Sequence, residues 1–449
     1  MSFADDQRRT YEDFKAAPHG AFITERPAYF SPAAAAQDAT AVSSTHMRFG
    51  PMFLATEFTN TFAEARAHHD TAYIGDWSPL AKIRVSGADA LRFLSWLGMN
   101  DLSRFEIGQI KHHVQLDENG YVAMEGILLR VAEEAFIFTA GSGDWLLWQA
   151  GQGEWDLKTE DITPDRFIFG IQGPASLAVL ETLTSAPLRD IAFNRSRELT
   201  LAGVPLRVLR TGISGQLGYE LHGVTGDGNH VWQAVVEAGA PFRLLQLGFQ
   251  AMSNQHVEAG IATNGLDYLP SSIVTPGSPW QFRHGRPTGS FEPTAVTDFF
   301  RRPSELGWTA RARAKEDDYL GRSALEAHAE TSRAFVGLIW DTADVQGVFA
   351  SLFDDEPADQ MTLPRFSGPA FDRVQVAGDD VGVASGRTYS PFLRKVISFA
   401  ALAPEHAAPG TTVEVLWGRP GTPQRTVRAV VTALPFIPDG RRVDVASLG

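Results

Sequence analysis

The chain has 449 residues, 44% apolar and 20% charged, with 39 basic and 53 acidic groups and a formal charge of −14. This balance excludes a disordered or fibrous protein, and at about 150 residues per domain the length predicts about three domains. The acidic excess argues against nucleic acid or an anionic membrane surface as a partner, because both need clustered, uncompensated Lys and Arg. Cysteine is absent, which rules out disulfides, thiolate metal sites and thiol nucleophiles.

The first twenty residues carry charges throughout and have no apolar stretch of the kind a secretory leader needs. No run approaches the length of a membrane helix. A soluble, cytoplasmic protein is expected. Residues 1–45, rich in Ala, Pro and polar groups, read as an extension that packs on the body or covers an opening.

Residues 46–332 read as a two-lobed α+β region. FAEARAHHDTAYIGDW suggests a helix running into a strand. KIRVSG alternates with period two as a strand, and ADALRFLSWL follows with helical apolar spacing. HHVQLDENGYVAMEGILLRVAEEAFIFTAG predicts three antiparallel strands, turning at Asn119-Gly120 and at Ala132–Glu134. Asp144 is placed to cap the next helix. FIFGIQG, PASLAVLETLT, VPLRVLRTGISGQLGYELHG and GNHVWQAVVEAG repeat the rhythm, which favours antiparallel lobes over one doubly wound sheet. Residues 266–297, dense in Pro, Gly and aromatics, are a candidate substrate-facing loop. Residues 333–449 shift to short alternating strands and predict a C-terminal β barrel or sandwich.

Common catalytic signatures are missing: there is no Walker A loop, His-Glu-x-x-His pair, Gly-x-Ser-x-Gly elbow or dinucleotide fingerprint. In His68-His69 and His112-His113 the neighbours should lie on opposite faces of a strand or about 100° apart on a helix. Neither spacing predicts two imidazoles on one ion, and no metal site is expected.

Three other segments carry information. IQGP at 171–174 joins strand to helix, TGISGQLGYELHG at 211–223 places Tyr219 and Glu220 on a strand after a glycine-rich turn, and a Leu-Gly-Trp run opens ELGWTARARAKEDDYLGRSALEAH at 305–328. Together they resemble the folate-binding aminomethyltransferase family that includes the glycine-cleavage T-protein. TGSFEPTAVTDFFRRPSELGW, FASLFDDEPAD and TVEVLWG narrow the resemblance to the tetrahydrofolate-dependent O-demethylases of lignin-derived aromatic acids, the vanillate/3-O-methylgallate and syringate enzymes. The resemblance implies a three-domain cloverleaf of two α+β lobes plus a C-terminal β domain around a central folate cavity.

It also implies site residues. A pterin presents a donor–donor edge that a carboxylate can accept in two parallel hydrogen bonds, and in the family the glutamate of the Gly-Tyr-Glu strand holds that edge. Here that residue is Glu220, with Tyr219 beside it. Gln172 is either a folate contact or a purely structural turn residue. Glu125 falls where the family has an acidic group near the reactive end of folate, and it is either functional or structurally paired. His256 is a candidate proton carrier, since an unperturbed imidazole titrates near neutrality. Trp77, Met252, Tyr268 and Trp280 are candidate substrate walls.

Departures from the demethylase pattern matter as well. Met252 stands where those enzymes have an assisting Tyr, Gly141 where they have a carboxylate-binding Arg, and Trp77, Pro79 and Leu80 where they have a polar pocket. The expected substrate is therefore a bulkier, less acidic aromatic than vanillate. The leading expectation is tetrahydrofolate-dependent O-demethylation of a methoxyphenol. The alternative is a lyase that expels a hydroxymethyl carbon as formaldehyde from a lignin-type diaryl compound, with folate unused or trapping the product.

Overall fold

A computed structural model describes residues 8, 12, 30–42, 45–274, 287–308, 315–328, 333–363 and 369–448. The elements run in order as α1 (Ala34–Asp38), β1 (His46–Phe49), β2 (Met52–Ala55), α2 (Thr61–Asp70), β3 (Tyr73–Asp76), β4 (Ala81–Ser86), α3 (Ala90–Leu97), β5 (Ile110–Leu116), β6 (Val122–Ala132), β7 (Ala135–Ala140), α4 (Asp144–Ala150) and β8 (Lys158–Asp161). The second half continues with β9 (Arg166–Gln172), α5 (Ser176–Glu181), β10 (Ser196–Leu201), β11 (Val204–Leu209), β12 (Gly218–Val224), α6 (Gly228–Gly239), β13 (Leu245–Leu247) and α7 (Gln255–Glu258). Beyond these come α8 (Arg322–Ala327), β14 (Ala334–Trp340), α9 (Thr342–Ala350), β15 (Asp372–Val376), β16 (Asp379–Ser390), β17 (Lys395–Leu402), β18 (Thr412–Trp417) and β19 (Arg425–Thr432).

Two α+β lobes and a β barrel result, as the resemblance implied. The first lobe carries a five-stranded sheet in the order β5-β6-β7-β4-β8, and the second a six-stranded sheet in the order β10-β11-β12-β9-β3-β13. Strands β14 to β19 close into a barrel, which leaves no open sheet edge. The lobes are interleaved: β3 precedes the whole first-lobe sheet yet pairs antiparallel with β9 and parallel with β13 in the second.

Local sequence explains most elements. In α3, Ala90, Phe93, Leu94 and Leu97 recur at helical spacing and are all buried, forming the stripe that packs against Phe136, Phe138 and Trp145. Each large side chain buried in this way contributes roughly 1.5–3 kcal/mol. Helix α2 starts at Asn60, whose side chain accepts from the backbone N–H of Phe62 and Ala63, an N-cap worth about 1 kcal/mol. Gly120, at φ +75°, supplies the left-handed residue in the turn between β5 and β6. At α4 the cap falls one residue early: Gly143 holds the N-cap position, Asp144 is the first helical residue, and Ser142 Oγ accepts from the Asp144 N–H. Ala33 joins the second-lobe core. Among the described residues, no helix is long and apolar enough to cross a membrane.

Candidate functional site

The inner faces of the two lobe sheets meet. Leu209 of β11 packs against Ile110 of β5 and Leu129 of β6, and backbone bonds from Ile110 to Asn194 and from Ser196 to Gly108 stitch the seam. Leu209 pairs across strands with Glu220, so both point into the seam. On the facing sheet Ile127 pairs with His112 and Glu125 with Val114, which puts His112, Glu125, Ile127 and Leu129 on one face. Glu125 and Glu220 therefore project from opposing walls of one interlobe space.

The second-lobe wall is built around Glu220. Its Oε2 accepts a hydrogen bond from His222 Nε2 at 3.0 Å, two residues along the same face. Oε1 has no hydrogen-bond partner among the described residues. Its cross-strand neighbour is Gly170, where a Cβ would meet Trp77 Nε1 at 2.5 Å. Only a glycine lets the half-buried indole lie on the sheet beside the carboxylate. Trp77 packs on a cluster containing Tyr73, Leu247 and Met252. Burial, helped by the nearby Glu220 charge, holds the Tyr73 phenol protonated, and its hydroxyl donates to Gln255 Oε1.

Two expected cofactor contacts have other employment. Gln172 is fully buried, accepts from Ser214 Oγ at 2.8 Å and reaches Thr211 O at 3.5 Å. Its amide thus latches the 211–217 turn, with Gly212 and Gly218 leaving room for it, and the structural alternative describes this geometry. Tyr219 alternates away from Glu220 into the second-lobe core. There burial pushes its phenol up to about 12, so it supports the strand from behind instead of touching the seam.

The first-lobe wall holds a pair that sequence reading left incomplete. His112 Nε2 lies 2.8 Å from Glu125 Oε2, and the two side chains are 26% and 15% exposed, enough to be reached from the seam. Asn264 N–H donates to Glu125 Oε1 at 3.4 Å. Trp308 sets its ring edge-on to His112 at 5.0 Å and to Tyr268 at 6.4 Å. The Tyr268 hydroxyl is fully buried and completes no hydrogen bond among the described residues; burial and then the Glu125 charge raise its phenol well above the ordinary range. His112 and Glu125 stand on one face of the hairpin that the Asn119-Gly120 turn predicts, on the diagonal between the pairs His112–Ile127 and Val114–Glu125, a contact the sequence reading did not draw.

His256 sits elsewhere. It is buried, faces Asp267 Oδ2 at 3.2 Å, and has Phe399 of the barrel 6.3 Å away. Asp267 also accepts from the Thr263 N–H at 2.8 Å, so this pair anchors the loop that presents Asn264 and Tyr268. Met252 is buried in the cluster beneath Trp77. Trp280 lies outside the described residues.

The expectation that neither histidine pair converges fails for His68-His69. Their Nε2 atoms stand 3.0 and 2.9 Å from the same Glu258 oxygen. An angular step of about 100° on a helix still lets two long rings tilt toward one point when a partner from another element fills it.

A model of the GCVT N-terminal domain matches residues 11–274. The chain belongs to the GCVT aminomethyltransferase family. A sesamin methylene transferase of Sinomonas sp. (strain No.22) is 35% identical over 431 residues, covering 88% of this chain and 93% of that protein. A syringate O-demethylase of Sphingobium sp. (strain NBRC 103272 / SYK-6) is 30% identical over 416 residues, covering 85% and 89%. The crystal structure of the glycine cleavage system aminomethyltransferase T from Bartonella henselae superposes with a TM-score of 0.69 at 19% identity, over 91% of this chain and 98% of that one; it shares the fold. This GCVT protein is a folate-dependent one-carbon transferase, and tetrahydrofolate fits the second-lobe wall. The free Glu220 oxygen can accept from a donor edge, and the Trp77 indole, seated on Gly170, offers a flat surface beside it.

Proposed function

We propose that the protein removes the methyl group of a lignin-type aryl methyl ether and delivers it to tetrahydrofolate, with Glu125 and His112 handling the proton. The observation that carries this reading is the His112–Glu125 pair, which faces the Glu220 wall across the seam between aromatic side chains. Kinship with a syringate O-demethylase and a sesamin methylene transferase supports an oxygen-bearing aromatic substrate.

Glu220 and Trp77 would hold the pterin end of tetrahydrofolate, which when bound supplies a nucleophilic ring nitrogen as the one-carbon acceptor. As the methyl C–O bond breaks, its electron pair stays on the aryl oxygen. An aryl oxide is a poor leaving group unless its charge is quenched as it forms. The Glu125 carboxylate holds the His112 imidazolium through Nε2, and the imidazolium gives the proton on its other ring nitrogen, Nδ1, to that oxygen, leaving a neutral ring beside the carboxylate. His256 is a positioning residue here, fixing the loop through Asp267. Gly141 carries no side chain to receive a substrate carboxylate. Neutral methoxyphenols should outcompete benzoates, since an unpaired carboxylate is costly to desolvate.

A second reading uses the same pair as a base. With Met252 buried and offering no proton, Glu125 and His112 would take the hydroxyl proton of a hydroxymethyl group. The C–C bond then breaks, its electron pair flowing into a para-quinone methide already formed from the phenol by loss of a benzylic leaving group, so that a phenolate is restored and formaldehyde leaves. One incubation separates the two. Purified protein is given a guaiacyl methyl ether or a hydroxymethyl diaryl phenol, each with and without tetrahydrofolate, and methyl-tetrahydrofolate and formaldehyde are quantified. Methyl-tetrahydrofolate formed with stoichiometric demethylated phenol supports the first reading, and folate-independent formaldehyde supports the second. Neither product from either class would refute both.

A further inference from the structure

We propose that His68, His69 and Glu258 bind a divalent transition-metal ion of the zinc class, joining helix α2 to helix α7. The three side chains are 1%, 5% and 0% exposed, and their ligand atoms all lie within 4.8 Å of one another. Two imidazole nitrogens with one carboxylate oxygen is a donor set suited to zinc, and too nitrogen-rich for magnesium or calcium. Ligands about 2.1 Å from a tetrahedral ion stand about 3.4 Å apart. The observed N···O separations of 2.9 and 3.0 Å would need to open by only a few tenths of an ångström.

The surroundings resemble a built second shell. Glu258 Oε1 accepts from Ser390 Oγ at 2.5 Å and from Asn254 Nδ2 at 3.3 Å, which orients Oε2 toward the imidazoles. His69 stacks on Phe392 at 3.7 Å with the planes 8° apart, fixing its ring. A buried carboxylate is normally paired or bound to metal. A cavity of about 220 Å³, lined by Phe62, Ala65, Asn254, Tyr389 and Pro391 among others, lies beside Asn254, which holds Glu258 Oε1. The ion would bridge α2 and α7, with Ser390 at the end of β16 holding Glu258 from behind.

The test uses tag-free full-length protein, stripped with chelator, then equilibrated with Zn²⁺ or Co²⁺ and desalted. Metal analysis should find one ion per chain. The cobalt form should show visible d–d absorption, and zinc should raise the melting temperature. Glu258→Gln keeps the shape, and His69→Gln alters the least buried ligand should the first variant not fold. Each should weaken binding at least tenfold and abolish the thermal shift. Wild-type protein that retains no metal, or either folded variant binding metal as the wild type does, would overturn the proposal and leave a metal-free imidazole–carboxylate clasp.

Discussion

His68-His69 and His112-His113 are the same dipeptide on two different backbones. On α2 both rings reach one carboxylate, whereas on β5 they part: His112 meets Glu125 in the seam, and His113 turns back to donate to the Leu94 carbonyl at 2.8 Å. A strand enforces alternation of faces, so its neighbours cannot cooperate. A helix only spreads neighbours by about 100°, and a third residue can gather them. Backbone periodicity, more than residue type, decides whether adjacent imidazoles share a task.

The sharpest way to break this contrast is to change the two members of the strand pair separately. His112→Gln should lower kcat by about 100- to 10,000-fold, the usual contribution of a general acid or base, while the protein stays folded. His113→Gln should leave kcat close to wild type at neutral pH, because its side chain lies on the helix side of the sheet. Equal losses in turnover would show that face alternation does not separate catalytic from structural roles here.

The next effect falls on the opposite wall. Glu220→Ala removes the carboxylate proposed to take a charge-assisted donor edge, which typically costs a few kcal/mol. Tetrahydrofolate affinity measured by calorimetry should fall roughly a hundredfold. Retained affinity would move the cofactor off this wall.

Much of this arrangement could be read from sequence, and the reason for the remainder is physical. The antiparallel run through Asn119-Gly120 and the second-lobe strand–helix rhythm rest on local patterns, and Glu220 was singled out by the family resemblance. The contact between Glu258 and the His68-His69 pair depends on which helices meet. Glu258 is 190 residues from His68, and no local periodicity encodes such a separation. The same applies to β3, whose place between β9 and β13 is fixed by non-local pairing. The inward direction of Tyr219 was available, because a strand that turns Glu220 toward a ligand must turn Tyr219 away.

His113 sharpens the comparison through pH. Burial, opposed by the Leu94 bond and aided by the Lys315 charge, lowers its imidazole from the ordinary value to about 4. The unfolded chain therefore binds a proton near pH 6.5 that the folded chain refuses until about pH 4. Stability from this residue is complete above about 6.5 and is lost as pH falls toward 4, amounting to about 3 kcal/mol. The denaturant midpoint should fall further between pH 7 and pH 4.5 for wild type than for His113→Gln. Parallel profiles would mean that the ring is not desolvated.

The smallest expected effect is the most discriminating for strand alternation. Tyr219→Phe removes a hydroxyl that is buried without a hydrogen-bond partner among the described residues. An unsatisfied buried hydroxyl is itself unfavourable, so its deletion should change stability by less than about 1 kcal/mol and in the stabilising direction. Its ring still fills the core beside Leu177, Val208 and Leu221, so packing is preserved. Because the side chain points away from the seam, tetrahydrofolate affinity should stay within about twofold of wild type, which is a few tenths of a kcal/mol. Calorimetry on Tyr219→Phe beside Glu220→Ala thus compares neighbours on one strand. A marked loss of folate binding from Tyr219→Phe would place the hydroxyl at the ligand and reverse the facing assigned to β12.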